Sequence, residues 1–311
     1  MAWRQADTRG MSAFAALPAS TRGALWMTVS AFLYACTYAT VRHLSASFNT
    51  FEIVFFRSIL GVLFMLPWLM HAGLGVLKTN RIGLYSVRVG LNYVGMVCLM
   101  YGIARLSLQD VTALMFTVPL FTVIFVAVLL GEKVGTARWW ALVVGFAGAL
   151  VIIRPGFIEL SIAAIAVMVT SASYSLVNTA TKSLTETEAP NTIVFYVFVM
   201  MAVVGVGPAV YGWNMPGWWD APWILALGAF SSLATLCITR SFAAADASVV
   251  MPFNFLKLPF AVMIGFIMFA EAPDLWTFSG AAIIFGSSYY IARREAKANA
   301  AAPAAPAAPG G

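Results

Sequence analysis

Charge is what this sequence has least of. Of its 311 residues only 10% are Asp, Glu, Lys or Arg, while 61% are hydrophobic. A soluble domain carries about a quarter of its residues as charges, so the solvent here is lipid and no soluble domain is attached. Histidine is nearly missing: His43 and His71 stand isolated at the ends of apolar segments. The three cysteines, Cys36, Cys98 and Cys237, lie inside apolar segments without CxxC or Cys/His spacing. They read as small packing residues, and neither a disulfide framework nor a metal site is expected. No GxSxG, HExxH or P-loop occurs, and no paired acids or Ser/His set suits an intramembrane hydrolase. An enzyme is therefore not indicated, nor is any cofactor. The net charge of +6 comes without a basic face bearing aromatic platforms, which argues against a nucleic-acid partner. The first 21 residues are polar and mixed and lack a compact cleavable signal pattern, so the first apolar segment reads as retained.

Long apolar runs fill the rest. Ten segments approach the roughly 20 mostly apolar residues that a membrane-spanning helix needs: Arg22–Val41, Thr50–Met70, Ile82–Ala104, Val111–Leu130, Arg138–Ile153, Ser161–Thr181, Thr192–Tyr211, Pro222–Phe242, Val249–Ala270 and Leu275–Ala292. Breakers fill the short loops, as in "RPG" at 154–156, "APN" at 189–191, "NMPG" at 214–217 and "EAPD" at 271–274. Tryptophans such as Trp139, Trp140, Trp218, Trp219 and Trp276 gather at segment ends, where an aromatic belt belongs. With the first end inside, 12 Lys and Arg fall in inside loops and ends, 3 outside and 3 within spans. That bias places both termini in the cytoplasm of a bacterial inner membrane. The tail from residue 294, rich in Ala and Pro, reads as disordered.

The chain also repeats itself. Shifted by 140, Val29, Tyr34, Leu44, Ile53, Val54 and Phe55 meet Val169, Tyr174, Leu184, Ile193, Val194 and Phe195. Shifted by 139, Cys98 meets Cys237 and Glu132 meets Glu271. Five spans per repeat is an odd number, so the second repeat enters the membrane from the other side. Such inverted duplication serves alternating access in many secondary transporters, with the substrate site near the midplane between the halves.

Ten spans in two fives, "FRSILG" in the second span, and "GEKVG" and "AEAPD" closing the fourth and ninth resemble the drug/metabolite transporter superfamily, and within it the EamA-type subgroup. The resemblance covers residues 22–293, as repeats 22–154 and 155–293 between the N-terminal segment 1–21 and the tail 294–311. It implies an all-α fold in which spans one to four and six to nine surround a cavity. It also implies transport of solutes such as amino acids, S-adenosylmethionine or riboflavin, without choosing among them. Where the subgroup closes span nine with "GE", this chain has Ala270.

Polar groups in hydrocarbon turn to the bundle interior, a partner or water. Three cations lie inside spans, Arg57, Arg88 and Lys257, against one acid, Glu52. Glu52 and Arg57 stand about 140° apart around one helix and pair poorly. Arg57 suits either helix anchoring or substrate contact. Arg88 can snorkel outward or form a cavity strip with Asn92, its i+4 neighbour. Lys257 is about 12 Å deep, shares a face with Asn254, and sits between Pro252 and Pro259, which free backbone carbonyls. It meets either a substrate anion or a carbonyl. Two stripes at helical period complete the set: Ser30, Tyr34, Thr37, Tyr38 and Val41 in span one, and Ser171, Tyr174, Asn178 and Thr181 in span six. Tyr34, Tyr38, Tyr93, Tyr174 and Phe253 could stack on a flat ring. Gly145, Gly148, Gly280 and Gly286 suit close packing of spans five and ten.

These residues point to a secondary carrier of a small organic metabolite bearing a negative group. The alternative is a channel-like or sensor membrane protein. Lipid is the other partner, and a homodimer is allowed. Reporter tags at either end of the chain are expected to register the cytoplasm. A C-terminal tag reading the periplasm would refute ten spans.

Overall fold

A computed structural model describes residues 17–129, 136–153, 161–245, 247–272 and 274–301. Among them every regular element is helical: α1 (Ala19–Leu44), α2 (Thr50–Ala72), α3 (Ile82–Ile103), α4 (Leu108–Met115), α5 (Val118–Leu129), α6 (Thr136–Ile153), α7 (Ile162–Thr185), α8 (Pro190–Val210), α9 (Ala221–Ala244), α10 (Ala247–Asn254), α11 (Lys257–Phe269) and α12 (Leu275–Ala301), with a 3-10 turn at Leu74–Leu77. They form ten spans, because α4 with α5 and α10 with α11 are halves of single crossings. Seven described crossings are long and apolar enough to traverse a bilayer alone; Trp139–Ile153, Lys257–Phe269 and Leu275–Ser287 are shorter apolar helices. The motifs at 131–135 and 154–156, the first 16 residues and the tail from 302 lie outside the described residues. α12 continues to Ala301, past the expected tail boundary at 294. Its Glu, Lys and alanines there are strong helix formers.

Local chemistry sets the helix ends. Asn49 caps α2, accepting from the amides of Phe51 and Glu52, while Glu52 reaches back to the Asn49 amide in a complete capping box. The other Glu52 oxygen accepts from the Asn214 amide. Glu52 thus serves backbone amides and leaves Arg57 to other partners. Ser107 caps α4, and prolines open α8 and α9, where a missing N–H costs nothing.

The sequence suggests bends at Pro119, Pro252 and Pro259. The structure instead interrupts two helices. Pro119 is the second residue of α5 and Pro259 the third of α11. A proline ring collides with the carbonyl four residues back, here on Met115 and Phe255. The helices stop there, and turns follow at Phe116–Thr117 and Phe255–Leu256. Each proline then sits in the first turn of the next half-helix, whose amides have no intrahelical acceptor in any case. Pro252 stays within α10.

The packing obeys the inverted repeat. α1 packs along α9 and α3 along α7, while α2 faces α8 and α6 faces α12. Exchanging the repeats swaps the first two pairs and returns the last two to themselves. Polar contacts repeat as well. Arg42 donates to the carbonyls of Ile103 and Leu106, and Lys182 to those of Phe242 (3.0 Å) and Ala245 (3.4 Å). Phe116 and Phe255, equivalent residues of the two breaks, meet edge to face with centroids 4.4 Å apart. Equivalent residues that touch lie at the pseudo-two-fold axis.

On the far face, where α1 ends, Arg42 pairs with Glu271 at 3.3 Å. Glu271 also accepts from the Leu108 amide at the start of α4 (2.9 Å), and Gln109 donates to the Ala272 carbonyl (2.9 Å). The glutamate of the closing motif therefore caps a helix of the other repeat. Its neighbour Ala270 is the only non-glycine residue at positive φ among the described residues, at 53°. The exchange from "GE" is thus not neutral: left-handed backbone favours glycine and costs other residues about 1 kcal/mol.

α6 and α12 meet backbone to backbone. A Cβ on Gly148 would lie 2.9 Å from the Gly280 carbonyl oxygen, and one on Gly280 2.5 Å from that of Gly148. Gly145 is similarly close to Leu120 and Ser287, but Gly286 faces open space and takes no part in this packing. Gly148→Leu is expected to destabilise the protein by the ~1–3 kcal/mol typical of overpacking or more, read as a lower melting temperature in detergent. Gly286→Leu should leave it unchanged.

Candidate functional site

Nine of the polar residues singled out from the sequence come together around one cavity between the repeats. α1 supplies Tyr34 and Tyr38, α2 Arg57, α3 Arg88 and Asn92, α7 Tyr174 and Asn178, and the second break Asn254 and Lys257. Both breaks reach it, through Phe116, Val118 and Pro119 on one side and Phe255 on the other. The cavity encloses about 1150 Å³ free of protein atoms, open solvent included. Among the described residues neither α6 nor α12 contributes to the lining, which leaves spans five and ten outside it.

Lys257 is the first residue of α11 and 7% exposed. Its ammonium lies over the rings of Tyr34 (4.8 Å) and Tyr38 (5.7 Å). Among the described residues it has no ion pair and no hydrogen bond, so the carbonyl partner considered from the sequence is not used. Ring faces attract a cation through their quadrupole but satisfy none of its N–H donors. The charge stands at a helix N-terminus, where the dipole is already positive.

The two arginines are each half anchored. Arg57 Nη2 donates to Thr235 Oγ1 (3.2 Å) and its guanidinium lies 5.4 Å from the Phe198 ring. Arg88 Nε donates to Thr181 Oγ1 (2.9 Å). In both, Nη1 is buried without a partner. Arg88 is only 5% exposed, so it turns inward rather than snorkelling. Tyr34 and Arg57 share Thr235, which lies 3.3 Å from the Tyr34 hydroxyl. A continuous path thus runs from Lys257 over the Tyr34 ring to Thr235 and Arg57. Asn92 Nδ2 contacts Met201 Sδ and the Tyr174 hydroxyl contacts Met96 Sδ, both weak acceptors. Among the described residues no Asp or Glu belongs to the lining.

The polar stripes divide between cavity and packing. Thr37 and Thr181 line the cavity, whereas Ser30 bonds the Ala234 carbonyl and Ser171 that of Leu114. Tyr93 and Phe253, expected as stacking rings, do not line it. Phe253 is 39% exposed; two residues on, about 200° around a helix, Phe255 takes the inward place. Sequence reasoning missed Thr235 and Thr239. Their signal was present, since Ser231, Thr235 and Thr239 form a third polar stripe at helical spacing. Among the described residues no group of three or more His, Cys, Asp or Glu could hold a metal ion.

Comparison with known proteins fits this architecture. The model of the EamA-like transporter family matches twice, at residues 21–154 and 161–293. A riboflavin transporter of Rhizobium johnstonii is 32% identical, covering 88% of this chain and 91% of its own. An S-adenosylmethionine uptake transporter of Rickettsia bellii is 26% identical, covering 91% of this chain and 97% of its own. A solved crystal structure, 15% identical, shares the fold with a TM-score of 0.64 over 88% of this chain and 99% of that one. The chain belongs to the EamA-like transporter family, as a multi-pass membrane transporter.

Thr235→Val removes the acceptor of Arg57 and the partner of Tyr34. It is expected to destabilise the protein by about 1–3 kcal/mol, the cost of leaving a buried donor unsatisfied. Thr239→Val should be milder, since that hydroxyl bonds only a carbonyl of its own helix. Thermal unfolding in detergent measures both.

Proposed function

We propose that this chain is a secondary carrier of the bacterial inner membrane. It moves a small organic metabolite with a negative group by alternating access, and both of its termini lie in the cytoplasm. The observation that carries this reading is the cavity. It lies between two inverted repeats, is lined among the described residues by three cations and no carboxylate, and reaches two half-helix starts. Inverted-repeat carriers hold substrates at broken helices near the midplane, with half-helix N-termini turned toward anionic groups. The relatives' printed names, riboflavin and S-adenosylmethionine transporters, agree with a small organic solute. Tyr34, Tyr38 and Tyr174 offer ring faces for its flat part. The excess of Lys and Arg on the near face, where α1 begins, supports the orientation.

Alternating access needs contacts between repeats that can open. The Arg42–Glu271 pair and the Gln109–Ala272 bond tie the repeats together on the far face. Near-face ties are made by Thr79 to Glu188 (2.7 Å) and Arg81 to the Ser183 carbonyl (3.3 Å). In this reading the two sets loosen in turn as one half rocks against the other.

The test begins with untargeted metabolite profiles of cells with and without the gene, followed by flux of the differing solutes in proteoliposomes. At least one organic solute should cross. Flux of inorganic ions with no organic solute would sink the carrier reading. Lys257→Met is expected to cut flux about tenfold or more, equivalent to ~1.4 kcal/mol, and Lys257→Arg to keep most of it. Full flux with unchanged apparent affinity in Lys257→Met would remove the ammonium from the site.

A further inference from the structure

We infer that the cavity is built for an organic dianion, such as a phosphate monoester or a dicarboxylate, rather than for a neutral or singly charged solute. The inference rests on the carrier reading and narrows its substrate class. Lys257, Arg57 and Arg88 are 7%, 3% and 5% exposed, and all three reach the cavity. Each buried charge costs several kcal/mol unless it is compensated. Among the described residues this lining lacks compensation: no carboxylate is present, the ammonium of Lys257 has only the faces of Tyr34 and Tyr38, and Nη1 of each arginine has no acceptor.

Donor arithmetic gives the same answer. The ammonium and the two buried Nη1 groups leave about seven N–H donors without an acceptor, whereas one carboxylate has about four lone-pair sites. A monoanion would leave two positive charges uncompensated; a dianion leaves one. The arginines are also held by Thr235 and Thr181, while their Nη1 groups stay buried without an acceptor. The positive end of the α11 dipole, at Lys257 itself, adds to the field. Three acids of the described spans and their ends are spent elsewhere: Glu52 serves the α2 capping box, Glu271 the Arg42 pair and the α4 amide, and Asp110 accepts from Thr277.

Paired probes that share a skeleton and differ in charge test the inference on the purified full chain, with thermal stabilisation as the binding readout. The pairs are riboflavin and its phosphate monoester, benzoate and phthalate, and butyrate and succinate. In at least one pair the dianion is expected to bind about tenfold or more tightly than its partner, equivalent to ~1.4 kcal/mol. Lys257→Gln and Arg88→Gln should shrink that ratio, and Lys257→Arg should preserve it. If no dianion stabilises the wild-type protein more than its partner does, the inference is overturned. The wild-type comparison decides even if a variant fails to fold. Tight dianion binding without flux in vesicles would strike the carrier reading and leave the dianion site standing. Flux of a neutral or singly charged solute, with no dianion preference, would do the reverse.

Discussion

Within hydrocarbon a backbone amide has no partner but the chain itself, and this molecule relaxes that constraint at two matched places. Pro119 and Pro259 stop α4 and α10 one turn upstream, and the turns so created meet at the Phe116–Phe255 contact. Because the breaks are equivalent under the repeat, both fall at the pseudo-two-fold axis and open on the same cavity. Irregular backbone is tolerated at this depth because it lines that cavity rather than lipid. The rest of the fold supports the arrangement: α1 with α9 and α3 with α7 form its walls, and α6 with α12 stand outside as a glycine-packed pair.

The repeat is symmetric in backbone and asymmetric in chemistry. At the start of the half-helix where repeat two places Lys257, repeat one places Val118. Arg57 and Arg88 both come from repeat one and find their threonine partners in repeat two. The two arginines and their anchoring hydroxyls therefore lie on opposite sides of the interface between the repeats. Rocking one half against the other would change how the guanidinium groups are held, which links their free donors to the conformational state.

Much of this was legible in the sequence, for a physical reason. Burying a charge in lipid is costly enough that Arg57, Arg88 and Lys257 mark the interior wherever they occur, and helical period places Asn92 and Asn254 beside two of them. Some details were not legible. Whether a proline bends a helix or ends it depends on what the freed carbonyl can meet. The choice between Phe253 and Phe255 as the inward ring depends on where α10 stops. Ala270 reads as a harmless small residue until its φ of 53° is known.

The sequence by itself determined ten crossings, their inverted pairing and the inward turn of Arg57, Arg88 and Lys257, because lipid penalises any other placement of charge and unpaired backbone. Only the tertiary structure decided what those residues meet. Lys257 rests on two tyrosine rings instead of a carbonyl, Thr235 joins Tyr34 to Arg57, and Glu271 caps a helix of the opposite repeat. Those partners come from spans far away in the chain, and a partner's identity is fixed by packing across the repeat interface, which no local pattern encodes.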